Sequence, residues 1–163
     1  MTHEGATWLL WLEHSGLGLA MRRSLWLYPF AEIVHILGIA LLVGPAMMFD
    51  LRLLGWSRQV SVTAMAGHLL PWSRRGLALV AVSGVLMFTA HATEWVVSPV
   101  FWVKMSLIAL AGVNVLVFHR RTFRSAVGWD AGAPVPRPAR AAAVCSLALW
   151  TGAIACGRLL GYL

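Results

Sequence analysis

A chain of 163 residues that is 60% hydrophobic and 12% charged is too apolar for a soluble domain, in which about half of the residues are apolar and about a quarter charged. Its net charge of +7 comes from 13 Lys and Arg against 6 Asp and Glu. The arginines are gathered in particular connections, which is how a multi-pass membrane protein sets its orientation, so a nucleic-acid partner is excluded and a lipid bilayer is implied.

Residues 6–26, "ATWLLWLEHSGLGLAMRRSLW", are apolar but broken by Glu13, His14, two glycines and Arg22–Arg23. The pattern predicts a helix lying in the membrane interface rather than a span. The start "MTHEGATW" has neither the basic opening nor the small-residue cleavage site of a secretory leader.

Four later segments reach the roughly 20 apolar residues that a transmembrane helix needs. They are 28–49, 75–93, 100–118 and 140–162. The expected fold is therefore all-α: one membrane domain over 1–163, a four-helix bundle preceded by an amphipathic helix. The connection from 50 to 75 holds Arg52, Arg58, Arg74 and Arg75, and that from 119 to 140 holds Arg120, Arg121, Arg124, Arg137 and Arg140. The connection "TEWVVSPV" has no Lys or Arg. The basic connections should face the cytoplasm of a bacterial inner membrane, with both termini periplasmic.

That topology converts sequence offsets into depths. Glu32 and His35 lie a turn or two inside the first span, Lys104 inside the third and Arg158 inside the fourth, while His91 is near the end of the second. All four spans thus bring an ionisable group to one outer level. Glu32 and His35 are three apart and share a helix face. Ionisable residues within a span are functional candidates by default. The competing reading is structural: Glu32 paired with Lys104, Arg158 reaching the headgroups, and His91 at the interface. A second polar level holds Asp50 and Arg52, Asn114 and His119, and His68. There Asp50 is expected to pair with Arg52 or Arg75, and Asn114 to hydrogen-bond across helices. His68 and His119 are a weaker candidate pair for a metal. Cys145 and Cys156 are eleven residues apart in one apolar run, roughly 16 Å along a helix, too far to bond each other.

Several short patterns go together: E-x-x-H-x-x-G at Glu32, His35 and Gly38; D-L-R-L-L-G at 50–55; L-L-P-W at 69–72; Lys104; and N-x-x-x-x-H at Asn114 and His119. With them the chain, from about 8 to 162, resembles an uncharacterised family of small four-helix bacterial inner-membrane proteins. That resemblance implies the fold and no mechanism. The first span is more distantly similar to the membrane domain of copper resistance protein D, which would imply copper. In plan the chain is also similar to small membrane cytochromes b, which would imply haem b held through histidines.

Three functions follow as expectations. The leading one is a cytochrome b-like electron-transfer protein. His35 and His91 would ligate haem iron, Gly38 and Gly84 would make room for the macrocycle, Lys104 and Arg158 would meet the propionates, and Glu32 would orient His35. A quinone could share the site, and a periplasmic redox or metal-carrying protein could dock there. The second is copper binding or transport, for which Met47, Met48, Met87 and Met105 offer soft ligands, although methionine is also common gap-filling material and Lys104 and Arg158 repel a cation. The third is an accessory subunit, as a homo-oligomer or within a larger complex, whose buried charges set helix pairing. A stand-alone enzyme is disfavoured by the absence of a nucleophile elbow, a phosphate loop, H-E-x-x-H and paired cysteines.

Overall fold

The computed structural model describes residues 3–129 and 132–162. Those residues form helices, turns and loops, with no strand among them. The apolar N-terminal stretch folds as two short helices rather than one, α1 (His3–Glu13) and α2 (Gly16–Arg23). The break falls at Ser15, whose hydroxyl caps α2 by accepting from the Gly18 N–H at 3.1 Å.

The first long helix, α3, runs Leu27–Leu54. It ends at Gly55, whose φ of 109° is open to glycine. The Gly55 and Trp56 N–H groups there close on the Arg52 and Leu51 carbonyls. The glycine of D-L-R-L-L-G is thus a helix stop. Arg52 in the same motif is not an orientation charge, for it is 1% exposed. Its guanidinium donates to the Val60 carbonyl at 2.7 Å and the Arg58 carbonyl at 3.1 Å, tying the loop after α3 to the helix end.

The second long helix, α4, spans Val62–Ala90 and differs most from expectation. It begins far before residue 75 because Ser61 caps it, accepting from the Ala64 N–H at 3.1 Å, and because Pro71 is carried inside the helix. Arg74 and Arg75, which seemed to mark the edge of a span, are exposed positions within it, Arg75 lying over the Trp72 ring at 4.8 Å. At 29 residues the helix is about 43 Å long, more than the ~30 Å of hydrocarbon, so its first turns reach beyond the apolar layer. It ends at His91, one residue short of α5 (Ala92–Val97).

Then come α6 (Pro99–Val117), a widened turn over Phe118–Thr122, a tightened one over Phe123–Trp129, and α7 (Arg137–Leu160). Close backbone packing pairs α3 with α4 and α6 with α7, and α3 joins the two pairs by packing on α7. Asn114 donates from α6 to the Ala142 carbonyl of α7 at 2.9 Å, the expected interhelical bond. Three buried apolar clusters follow one another along the bundle: Met21, Ala31 and Ala90 at one end, Leu42, Val43, Ala111 and Trp150 in the middle, and a larger group around Phe49, Leu53, Phe118 and Trp129 at the other. Ile33, Ile36, Leu37, Val82, Val85, Val103, Val113 and Leu116 point outward and are exposed. Four helices long and apolar enough to cross a membrane, greasier outside than a soluble protein tolerates, place the chain in the bilayer.

Candidate functional site

At the outer polar level stands His35. It is half-buried on α3 and lies against α4. Its Nδ1 is 2.9 Å from the Ser83 hydroxyl. That hydroxyl has a single proton and gives it to the Leu79 carbonyl at 2.6 Å, so Ser83 accepts and His35 Nδ1 donates. In the neutral ring Nε2 therefore carries the lone pair. A tautomer fixed in this way makes Nε2 a proton acceptor or a ligand atom. Ser83 itself carries no signal in the sequence, since its match to His35 depends on the register of two helices.

Lys104 and Glu32 are the charges from this level that act on the imidazole. Lys104 is half-buried on α6, its Nζ 5.7 Å from the centre of the Trp95 ring and its stem beside Gly157 of α7. Glu32 is exposed on α3. The expected Glu32–Lys104 pair is not formed, and the ion pairs among the described residues are Arg22–Glu13 and His91–Glu94. Arg158 is turned to its own helix end, where its guanidinium donates to the Tyr162 hydroxyl and covers the Tyr162 ring.

His91 is not brought to His35. It stands at the α4–α5 junction, with Nδ1 3.0 Å from Glu94 Oε2 and its ring against Tyr28 and Trp95. Ser83, the partner of His35, and His91 are eight residues apart on one helix, about 12 Å along its axis. One iron cannot take both imidazoles in this arrangement. Gly38 and Gly84 do not leave a slot either. A Cβ on Gly38 would lie 2.9 Å from Val80 Cγ2, and one on Gly84 would lie 3.2 Å from His35 Cε1. The expected room for a macrocycle is filled by the contact of α3 with α4 and by the His35 ring. His35 and His91 as placed here do not fit a haem held between them.

No group of three or more His, Cys, Asp or Glu residues is placed to hold a metal among the described residues. Met87 is packed against the cluster of Met21, Ala31 and Ala90, while Met48 and Met105 are exposed. His68 is exposed on α4, and His119 spends its Nδ1 proton on the Val115 carbonyl at 3.0 Å.

Glu13, which reads in the sequence as a helix breaker, is 5% exposed. Its Oε1 accepts from the Thr93 N–H at 2.8 Å and the Thr93 hydroxyl at 2.7 Å, and Oε2 lies 3.5 Å from Arg22. Burial by itself would push this carboxyl up. The Thr93 donors and the charges of Arg22 and His14 outweigh burial and hold it below the ordinary carboxylate value. Glu13 thereby pins the N-terminal helices over the end of the bundle where α4 meets α5. At the opposite end two clefts open. One, about 210 Å³, is lined by Leu54, Arg137, Arg140, Ala141 and Val144. The other, about 670 Å³, lies between α6 and α7 beside Asn114, Arg121 and Cys145.

The long apolar helices and the histidine held between two of them define a multi-pass helical membrane protein with a polar site inside its membrane domain. Residues 8–163 match a family of unknown function (DUF6644), and the chain belongs to that family. No curated protein matches the chain. No solved structure matches it either, and nothing links it to copper resistance protein D.

Proposed function

We propose that the chain is an electron-transfer component of a bacterial inner membrane that binds the headgroup of a quinone at His35. The observation that carries this reading is the hydrogen bond from His35 Nδ1 to Ser83. It leaves the lone pair on Nε2, which can accept the hydrogen bond of a quinol hydroxyl. The Lys104 ammonium, whose charge reaches the same ring, can donate to the oxygen at the other end of the headgroup. An apolar carrier would enter from the lipid, past the outward-facing side chains of α3 and α6. A quinone needs no second histidine, so this reading survives where haem on His35 and His91 does not. The arginine-rich connections would face the cytoplasm and the N-terminal helices the periplasm, where a periplasmic redox protein would approach the Glu32 side.

The test is to extract the detergent-purified protein with organic solvent, measure its quinone content, and record its visible spectrum before and after dithionite. Quinone should be retained by the native chain and reduced at least about tenfold in His35→Ala, the size expected when a hydrogen bond worth ~1.5–3 kcal/mol to a charged or unsatisfied group is lost. Ser83→Ala should weaken retention less, because it frees the ring without removing it. A reduced haem spectrum that disappears in His35→Ala would replace quinone with haem held by His35 and a ligand other than His91. Protein that retains neither group would leave the accessory-subunit reading, for which the broad uncovered face of α6 offers a docking surface.

A further inference from the structure

Asp50 lies at the end of the bundle away from His35, one turn before α3 ends at Leu54. It is 7% exposed, and its Oδ2 has no hydrogen-bond partner. The side chain that acts on its carboxyl is Ser146 of α7, itself buried. Phe49 and Leu53 on α3 and Ala143 on α7 belong to the apolar cluster at this level.

The expected charge pair is absent. Arg52 turns to the carbonyls of Val60 and Arg58. On α4, His68, Arg74 and Arg75 are exposed; on α7, so are Arg140 and Cys145. His119, beyond α6, is bonded to Val115. Arg22 and Arg23 of α2 belong to the far end. Neither ion pair among the described residues includes Asp50. An ionised carboxylate here would be a bare charge in an apolar wall, which is far costlier than the neutral acid.

We propose that Asp50 is a proton-binding site within the membrane domain, a carboxyl that takes up and releases a proton while the helices stay packed. The route for exchange is the cleft lined by Leu54, Arg137, Arg140, Ala141 and Val144. On this proposal water reaches Oδ2 from the Leu54 side, one turn beyond Asp50 on α3. The proposal stands apart from the His35 reading, since neither residue is needed for the other's geometry.

Infrared spectroscopy of the full chain in liposomes tests it. A protonated carboxyl stretch should be present at neutral pH, should shift in D2O, and should vanish in Asp50→Asn, which keeps the side-chain shape. Dicyclohexylcarbodiimide, which enters the bilayer and attacks protonated carboxyls, should modify the native chain at Asp50, as mapped by mass spectrometry. Above the titration point the rate should fall about tenfold per pH unit. The labelling needs no variant and so does not depend on Asp50→Asn folding. A carboxyl band that does not shift in D2O, or labelling that spares Asp50 at neutral pH, would overturn the proposal and make Asp50 a static partner of Ser146. Protection by sodium at fixed pH would also overturn it, in favour of a cation site.

Discussion

Alanine at Gly76 is expected to unseat α3 from α4. A Cβ there would lie 2.4 Å from the Leu42 nitrogen, 2.6 Å from the Leu41 carbonyl carbon and 2.8 Å from the Gly38 oxygen. All three are backbone atoms, so no rotamer change can relieve the clash and the helices must separate. Overpacking ordinarily costs ~1–3 kcal/mol, and Gly76→Ala should fall at or above the top of that range. Gly38→Ala should cost less, because its nearest obstacle is the Val80 side chain at 2.9 Å. Gly67→Ala meets nothing within 4 Å and should gain up to about 1 kcal/mol from helix propensity. Denaturant unfolding of the three variants in one detergent should give this order. Equal stability of Gly76→Ala and Gly67→Ala would mean that α3 and α4 are not packed as described. In membranes small residues drive helix association because they let backbones approach, and Gly76 does so where α4 meets α3.

The second large effect is expected at Glu13. Glu13→Ala removes the acceptor for the Thr93 N–H and hydroxyl and the partner of Arg22. Hydrogen bonds to charged groups contribute ~1.5–3 kcal/mol each, enough to release α1 and α2 from the α4–α5 junction while the four long helices stay assembled. Amide hydrogen exchange should then accelerate in residues 7–23 and not in α3 or α7. The same contact carries a pH dependence. The folded-state carboxyl is held below its ordinary value, so its stabilisation is fully present above the ordinary carboxylate range and is lost as pH falls through the depressed value. Docking of α1 and α2 should be constant around neutrality and weaken only in acid. Exchange in α1 and α2 that is unchanged in Glu13→Ala would show that apolar contacts such as Leu9 and Met21 hold the helices without it.

Depth was legible in part: the charges of Lys104 and Glu32 both act on His35, though not as a pair with each other. Direction was not. Arg158 and His91 share that end, yet one folds back on Tyr162 and the other pairs with Glu94, because each finds a partner within four residues of itself. At Gly38 and Gly84 the space is taken by the opposite helix and by His35, which spacing along one helix does not reveal.

A helical membrane protein with four long apolar segments and a basic end can be read from the residues in order, because hydropathy over twenty residues and arginine placement are local properties. The expected span 100–118 lies close to α6 (Pro99–Val117), whereas α3 runs past the expected 49 to Leu54, where Gly55 stops it. Packing was needed to show that His35 is held by Ser83, that Glu13 is a clamp rather than a breaker, that Arg52 serves a loop, and that Asp50 is buried without a counter-charge. Each of these depends on which face of one helix meets which face of another, or on how a loop returns to a helix end. A shift of one residue turns a helix face by about 100°, so these contacts arise only when the whole bundle packs.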